Sequence, residues 1–122
     1  MLSDEFQKTI SHYRKNYQKG YVFNQYENKH VYLLSSMEFK YVKYLEQNNI
    51  KWIKPKPLEY FSKEKKHLYF PDFYLPETNE YIEIKGYMWK GDKLKMKNVL
   101  LNNPEITLKI IDKIQLKLLM VT

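Results

Sequence analysis

The sequence predicts a mixed α/β domain, in which a β-sheet is flanked by helices on its faces. Apolar residues recur at three- and four-residue steps in the N-terminal part of the chain, and they alternate with polar residues in later segments. A further helical segment separates the last two strands. The predicted order is helix, helix, three strands, helix, strand (α-α-β-β-β-α-β). With 122 residues, 43% of them hydrophobic, the chain is long enough for one domain around one core.

The first part of the chain predicts two helices and a connecting arm. Residues 3–18 carry an apolar stripe and are expected to form the first helix. Residues 21–34 fit either a short hairpin or an irregular arm. Ser35 or Ser36 then caps a second helix that reaches about Asn49.

The segment after the second helix predicts a strand with an interrupted course. Residues 50–61 alternate well enough for a strand, but Pro55 and Pro57 confine it to an edge or an irregular path, because proline cannot donate to a strand ladder. Residues 62–67 follow as a charged turn.

The remaining segments complete the predicted sheet. Residues 68–75 and 80–86 read as paired strands joined by the turn "PETN". Asp92 can cap a third helix, "KLKMKNVLL", which stops at an Asn-Asn-Pro sequence. Residues 106–112 form an apolar strand, and residues 113–122 fit either a strand or a helix. The single domain thus divides into an N-terminal helix and arm (1–34), a core (35–112) and a C-terminal segment (113–122).

Composition narrows the classes of function. The formal net charge is +7, which favours a polyanionic partner such as nucleic acid. Proteins encoded by an AT-rich genome are also rich in lysine, and this bias explains the charge equally well. Cysteine is absent, which excludes disulfides, thiolate catalysis and cysteine-based zinc sites and is typical of a reducing compartment. No apolar run is long enough to span a membrane, and the first residues lack the apolar core of a signal peptide. We therefore expect a cytoplasmic protein.

Three charged residues stand inside the two paired strands. Alternation puts Glu83 and Lys85 on one face of their strand, and the hairpin puts Asp72 opposite them. A plain amphipathic strand with a solvated polar face is the simpler interpretation. Two converging carboxylates, however, repel each other and need a cation. Mg²⁺ suits Asp72, Glu83 and the carbonyl of Ile84, and Lys85 would position or deprotonate the attacking water in phosphodiester hydrolysis.

The motif Pro71-Asp72 followed by Glu83-Ile84-Lys85 resembles the signature of the PD-(D/E)XK nucleases. The upstream helix, "SSMEFKYVKYLEQNN", is similar to the helix that carries a further acidic metal ligand in that superfamily, and Glu38 occupies the corresponding place. The alternative for Glu38 is a capping box with Ser35. The resemblance implies a restriction-endonuclease-like core and Mg²⁺-dependent DNA cleavage, with Mn²⁺ as a substitute metal.

Over residues 35–112 the pattern is most similar to phage-type endonuclease I, which resolves branched DNA such as Holliday junctions. The matching elements are "SSME", "PDFYLP", "EIKG" and the following Trp89. Phage head-completion nucleases and TnsA-type transposase subunits share much of the pattern, including "YLLSSME". The resemblance implies a phage-encoded enzyme acting in the host cytoplasm. Cutting both strands of DNA also implies a homodimer.

Further residues admit two interpretations each. Lys90, Lys93 and Lys97 follow the presumed site and are expected to contact DNA phosphates, although a solvated helix face is the usual meaning of such a run. Trp89 could stack on a base, but we expect it to pack. As a whole, the chain could alternatively be a DNA-binding or virion- or transposition-associated structural module that keeps a nuclease fold without cleaving. A nuclease acting on RNA also fits.

Overall fold

A computed structural model describes residues 20–121 of the chain. The helix predicted over residues 3–18 lies outside the described residues. Within residues 20–121 there are three helices and seven strands, so the mixed α/β class is confirmed. The strands are β1 (Gly20–Asn24), β2 (Lys29–Leu33), β3 (Leu58–Ser62), β4 (Lys65–Tyr69), β5 (Phe73–Leu75), β6 (Glu80–Ile84) and β7 (Thr107–Ile111), and the helices are α1 (Ser36–Gln47), α2 (Lys90–Asn102) and α3 (Lys113–Met120).

The described strands form three small sheets instead of one. Strands β1 and β2 make an antiparallel hairpin. Of the two alternatives for residues 21–34, the short hairpin is therefore confirmed and the irregular arm is wrong. Strands β3 and β4 make a second hairpin. In the third sheet, β5 is antiparallel to β6 and β6 is parallel to β7. Ile53 forms an isolated β-bridge with Tyr74 of β5. This single bridge is consistent with the irregular path expected for the segment that contains Pro55.

The predicted strand over residues 68–75 is wrong as a continuous element. It breaks after Tyr69, and its two halves belong to different sheets. Pro71 lies at the break and has no N–H to donate to a ladder. The N–H of Asp72 donates to the Ile82 carbonyl at 3.0 Å, so pairing with β6 starts at this residue. The break therefore places Asp72 where the chain passes from the β3–β4 hairpin to the third sheet.

The helix ends follow from short polar side chains. Ser35 is the cap of α1, and its hydroxyl accepts from the Glu38 N–H at 3.2 Å. Asp92 does not cap α2 as predicted: the helix begins at Lys90, and the Asp92 carboxylate reaches back to the Trp89 N–H. At α3, Asp112 and Gln115 form a reciprocal capping box, which explains why the C-terminal segment is a helix.

The buried residues form two clusters. In the larger one, α1 covers the third sheet, and Trp52 packs edge-on against Phe73 with ring centroids 5.6 Å apart. The smaller one joins α2 to the β3–β4 hairpin through Tyr69 and Val99. No helix within residues 20–121 combines the length and the apolar character that crossing a membrane requires.

Replacing Ser35 with Ala should lower the free energy of unfolding by about 1 kcal/mol, because the first turn of α1 loses its side-chain cap. Ser36→Ala is the matched control, since the neighbouring serine is the first residue of the helix and not its cap. Urea unfolding followed by circular dichroism measures both variants. Equal losses in the two would contradict the assignment of Ser35 as the cap.

Candidate active site

The β5–β6 hairpin brings Asp72 and Glu83 together. Its register pairs Phe73 with Ile82, so the preceding Asp72 lies across from Glu83. One carboxylate oxygen of Asp72, Oδ2, accepts from the Ile84 N–H at 2.7 Å. Asp72 is thus held at the edge of the sheet by backbone contacts on both sides of Glu83, which fixes where its carboxylate lies.

The Glu83 carboxylate is buried and poorly satisfied. Burial and the charge of Asp72 raise the pKa of Glu83 to about 8. Its Oε2 atom has no hydrogen-bond partner among residues 20–121. The Tyr69 hydroxyl lies close enough to interact with it electrostatically, but no hydrogen bond of normal geometry joins the two groups. A buried carboxylate with one oxygen lacking a hydrogen-bond partner, beside a second carboxylate, is a costly arrangement, and a bound cation would relieve it.

Glu38 serves the end of α1 and also faces the site. Its Oε2 accepts from the Leu34 N–H at 3.2 Å and from the Ser35 hydroxyl at 3.3 Å, which is close to the capping-box alternative. Its Oε1 lies 3.4 Å from the Lys54 ammonium. Burial, followed by the charge of Asp72, raises the pKa of Glu38, and Lys54 opposes this shift. The same ammonium donates to the Asp72 carbonyl, so Glu38 and Asp72 are neighbours and the cap does not remove Glu38 from the site.

Lys54 is a site residue that the sequence did not indicate. Its ammonium donates to the Asp72 carbonyl at 2.9 Å and to the Glu38 carboxylate, and it lies 4.7 Å from the centre of the Phe73 ring. This ammonium therefore connects α1 to the start of β5. The only local signal is a lysine between Ile53 and Pro55, and an irregular segment does not show which way a side chain points.

Lys85 lies between two carboxylates. Its ammonium is 3.8 Å from Glu83 Oε1 and 3.6 Å from Asp92 Oδ2. The same Asp92 oxygen accepts from the Trp89 N–H at 2.9 Å. Asp92, predicted only as a helix cap, thus orients the lysine of the E-x-K motif.

The lysines of α2 divide between two surfaces. Lys90, Lys93 and Lys97 are exposed, as a phosphate-binding role requires. Lys93 and Lys97 border an apolar surface groove of about 610 Å³ that contains none of the four predicted catalytic residues. Lys95 instead lies over the Tyr69 ring, with its ammonium 5.3 Å from the ring centre. Phosphate contact by Lys90, Lys93 and Lys97 stays a prediction.

The donor set fits a hard cation only with help from backbone and water. Within residues 20–121, no three or more His, Cys, Asp or Glu side chains are gathered tightly enough to hold a metal ion by themselves. Asp72 and Glu83 form a pair, and Glu38 is engaged by Lys54. Mg²⁺ commonly binds through one or two carboxylates and retains several waters, so the pair and the unpartnered Glu83 oxygen fit such an ion. Ligation by the Ile84 carbonyl stays a prediction.

Comparison with known proteins does not extend this description. No protein-family model, curated protein sequence or solved structure matches the chain. Function is therefore inferred from the motif residues and from the geometry of the site.

Proposed function

We propose that the protein is a metal-dependent endonuclease that hydrolyses phosphodiester bonds in DNA, built on a restriction-endonuclease-like core. The observation that carries this proposal is the Asp72–Glu83 pair, in which Glu83 is buried, has one oxygen without a hydrogen-bond partner and lies 3.8 Å from the Lys85 ammonium. Two carboxylates placed side by side destabilise a fold, and they are typical of sites where a cation completes the chemistry.

Each residue has a distinct role in this proposal. Asp72 and Glu83 would hold Mg²⁺ or Mn²⁺, with Glu38 and the Ile84 carbonyl as further ligands. The ion, when bound, supplies Lewis acidity at the phosphoryl oxygen and lowers the pKa of its water. Lys85 would position the attacking water and offset the charge that grows on the phosphate.

The surroundings of the site support a nucleic-acid substrate. The formal net charge of +7 attracts a polyanion, and Lys90, Lys93 and Lys97 are exposed on the helix that follows the E-x-K motif. If they contact phosphates, each neutralised phosphate adds to the salt dependence of binding. A homodimer acting in the cytoplasm is part of the proposal, because one site of this kind cuts one strand.

The direct test is cleavage of supercoiled plasmid and of a four-way junction in Mg²⁺, in Mn²⁺ and in EDTA. We expect metal-dependent cutting that Lys85→Ala reduces by about 100-fold, because an ammonium aimed at the reacting phosphate is lost. Lys43→Ala is the matched control, since Lys43 is exposed on α1 and has no part in the site.

The outcomes separate the proposal from its alternative. Cutting that persists in Lys85→Ala, or in EDTA, would contradict the assignment of the site. Binding of DNA with no cutting in either metal would favour a non-cleaving structural module. Preferential cutting of a matched RNA duplex would change the substrate class.

A further inference from the structure

Two large aromatic side chains beside the site lie in solvent. Tyr87 is 65% exposed and Trp89 is 68% exposed, and their rings contact each other edge to face with centroids 4.6 Å apart. The expectation that Trp89 packs in the protein is therefore wrong. Single exposed apolar residues are common, but two adjoining exposed aromatics next to a proposed catalytic residue indicate a binding surface.

A single carboxylate connects this aromatic pair to the proposed catalytic residues. The Asp92 Oδ2 atom accepts from the Trp89 N–H at 2.9 Å and lies 3.6 Å from the Lys85 ammonium. That ammonium in turn lies 3.8 Å from Glu83. The backbone of Trp89 is thus held in a defined position relative to the E-x-K motif. A ligand group on the aromatic pair would lie beside a phosphate held at Lys85.

The chemistry of the pair selects the group that it can bind. An exposed indole and phenol offer flat π faces, and a nucleobase also has a π face, whatever its sequence. The bases of a continuous duplex are already stacked on their neighbours, so they do not present a free face. An unpaired base has a free face and is therefore the DNA group that fits the aromatic surface. Exposed Lys90 follows Trp89 directly and can contact the phosphate of the same nucleotide.

We infer that Tyr87 and Trp89 form a stacking site for an unpaired base of DNA, adjacent to the phosphodiester at Asp72, Glu83 and Lys85. The adjacency to a scissile bond rests on the proposed function, whereas the stacking site itself does not. Its preferred substrate is DNA with a single-stranded segment, such as a flap, a gap or a loop. A four-way junction in which every base is paired lacks the group that this site binds.

Intrinsic fluorescence reports on the site directly. The chain has two tryptophans, and Trp52 is fully buried, so quenching by an oligonucleotide arises at Trp89. The titration is made in EDTA, which separates binding from cleavage. The ligands are oligodeoxythymidylate and an oligonucleotide of equal length with abasic tetrahydrofuran residues, which has the same phosphates and no bases. We expect quenching and at least about tenfold tighter binding with the base-bearing ligand, consistent with one stacked base.

Variants locate the effect. Tyr87→Ala and Trp89→Ala should lose the tenfold advantage of the base-bearing ligand in fluorescence anisotropy with a labelled oligonucleotide, and should keep the affinity for the abasic ligand. Tyr21→Ala is the matched control, because Tyr21 and Tyr32 form a second exposed edge-to-face pair on the β1–β2 hairpin, where cross-strand pairing accounts for it.

The results distinguish this inference from the proposed function. Equal affinity for base-bearing and abasic ligands, or loss of affinity for both in Trp89→Ala, would overturn the stacking site. Base-dependent binding in a protein that cuts nothing in any metal would support the stacking site and refute the nuclease. Metal-dependent cutting without base-dependent binding would support the nuclease and refute the stacking site.

Discussion

Glu83→Gln is expected to abolish DNA cleavage and, in the same molecule, to stabilise the metal-free protein at alkaline pH. Loss of cleavage should be on the order of 1,000-fold or more, because an amide is a poor ligand for Mg²⁺ and removes a charge from the centre of the site. The gain in stability has a separate cause. Glutamine has the shape of glutamate but no charge to bury beside Asp72. A residue kept for function at the expense of stability should show both effects.

The pH dependence follows from the raised pKa of Glu83. Its usual value of 4.5 applies to the unfolded chain, and burial with the charge of Asp72 raises the pKa to about 8 in the folded protein. The folded state then binds the proton more tightly. The stabilisation that protonated Glu83 gives to the folded state is complete below about pH 4.5 and is lost as the pH rises through about 8. Because one pKa unit corresponds to about 1.4 kcal/mol, the total is on the order of a few kcal/mol, shared with Asp72 through their coupling.

Urea unfolding in EDTA at about pH 5 and about pH 9 measures this effect. The wild-type protein should lose stability between the two pH values relative to Glu83→Gln, and the difference between the curves reports the titration of the coupled Asp72–Glu83 pair. Glu105→Gln serves as the control, since Glu105 is exposed. A Glu83→Gln protein that is less stable at both pH values would mean that Glu83 makes a structural ion pair, and the metal-site argument would lose its main support.

Much of the site could be predicted because it depends on local pattern. The turn "PETN" and the alternation in β6 set the β5–β6 register, and the register places Asp72 across from Glu83. Ser35 or Ser36 was expected to cap α1, and Ser35 is the cap; the Asn-Asn-Pro sequence indicated the end of α2. These features depend on a few neighbouring residues, so the sequence contains nearly all the information that determines them.

The features that the sequence did not reveal depend on contacts between distant segments. Pro71 is compatible with either a strand break or an edge strand. The division of residues 68–75 between two sheets depends on which strand each half pairs with. Asp92 has the spacing of a helix cap, yet its carboxylate also contacts Lys85 at the end of β6, and local spacing does not reveal that contact. Trp89 is a large aromatic residue of the kind that usually packs in a core, and its exposure follows from where α2 begins.

Lys54 is the clearest case of such a long-range contact, and it supports a second prediction of large effect. Replacing it with methionine should lower the free energy of unfolding by about 1–3 kcal/mol near neutral pH, less than for a fully buried pair because the Lys54 side chain is 27% exposed. The variant leaves the Glu38 carboxylate buried near Asp72 without its cation. It also frees the Asp72 carbonyl, so cleavage should fall as the carboxylates lose their relative position.

The pH dependence separates this electrostatic effect from lost packing. Burial already raises the pKa of Glu38, and removal of Lys54 should raise it further. Glu38 then favours the folded state while it is protonated and loses that contribution as the pH rises through its folded pKa. The deficit of Lys54→Met should therefore shrink at acidic pH, where Glu38 carries no charge.

A double-mutant cycle with Glu38→Gln measures the coupling directly. In the Glu38→Gln background, Lys54→Met should cost clearly less than in the wild type, because no buried charge is left unpaired. Lys54→Arg should retain most of the stability, since it keeps a cation between α1 and β5. If the cost of Lys54→Met were the same at every pH and in both backgrounds, the contact with Phe73 would be its main role. Lys54 would then belong to the core and not to the site.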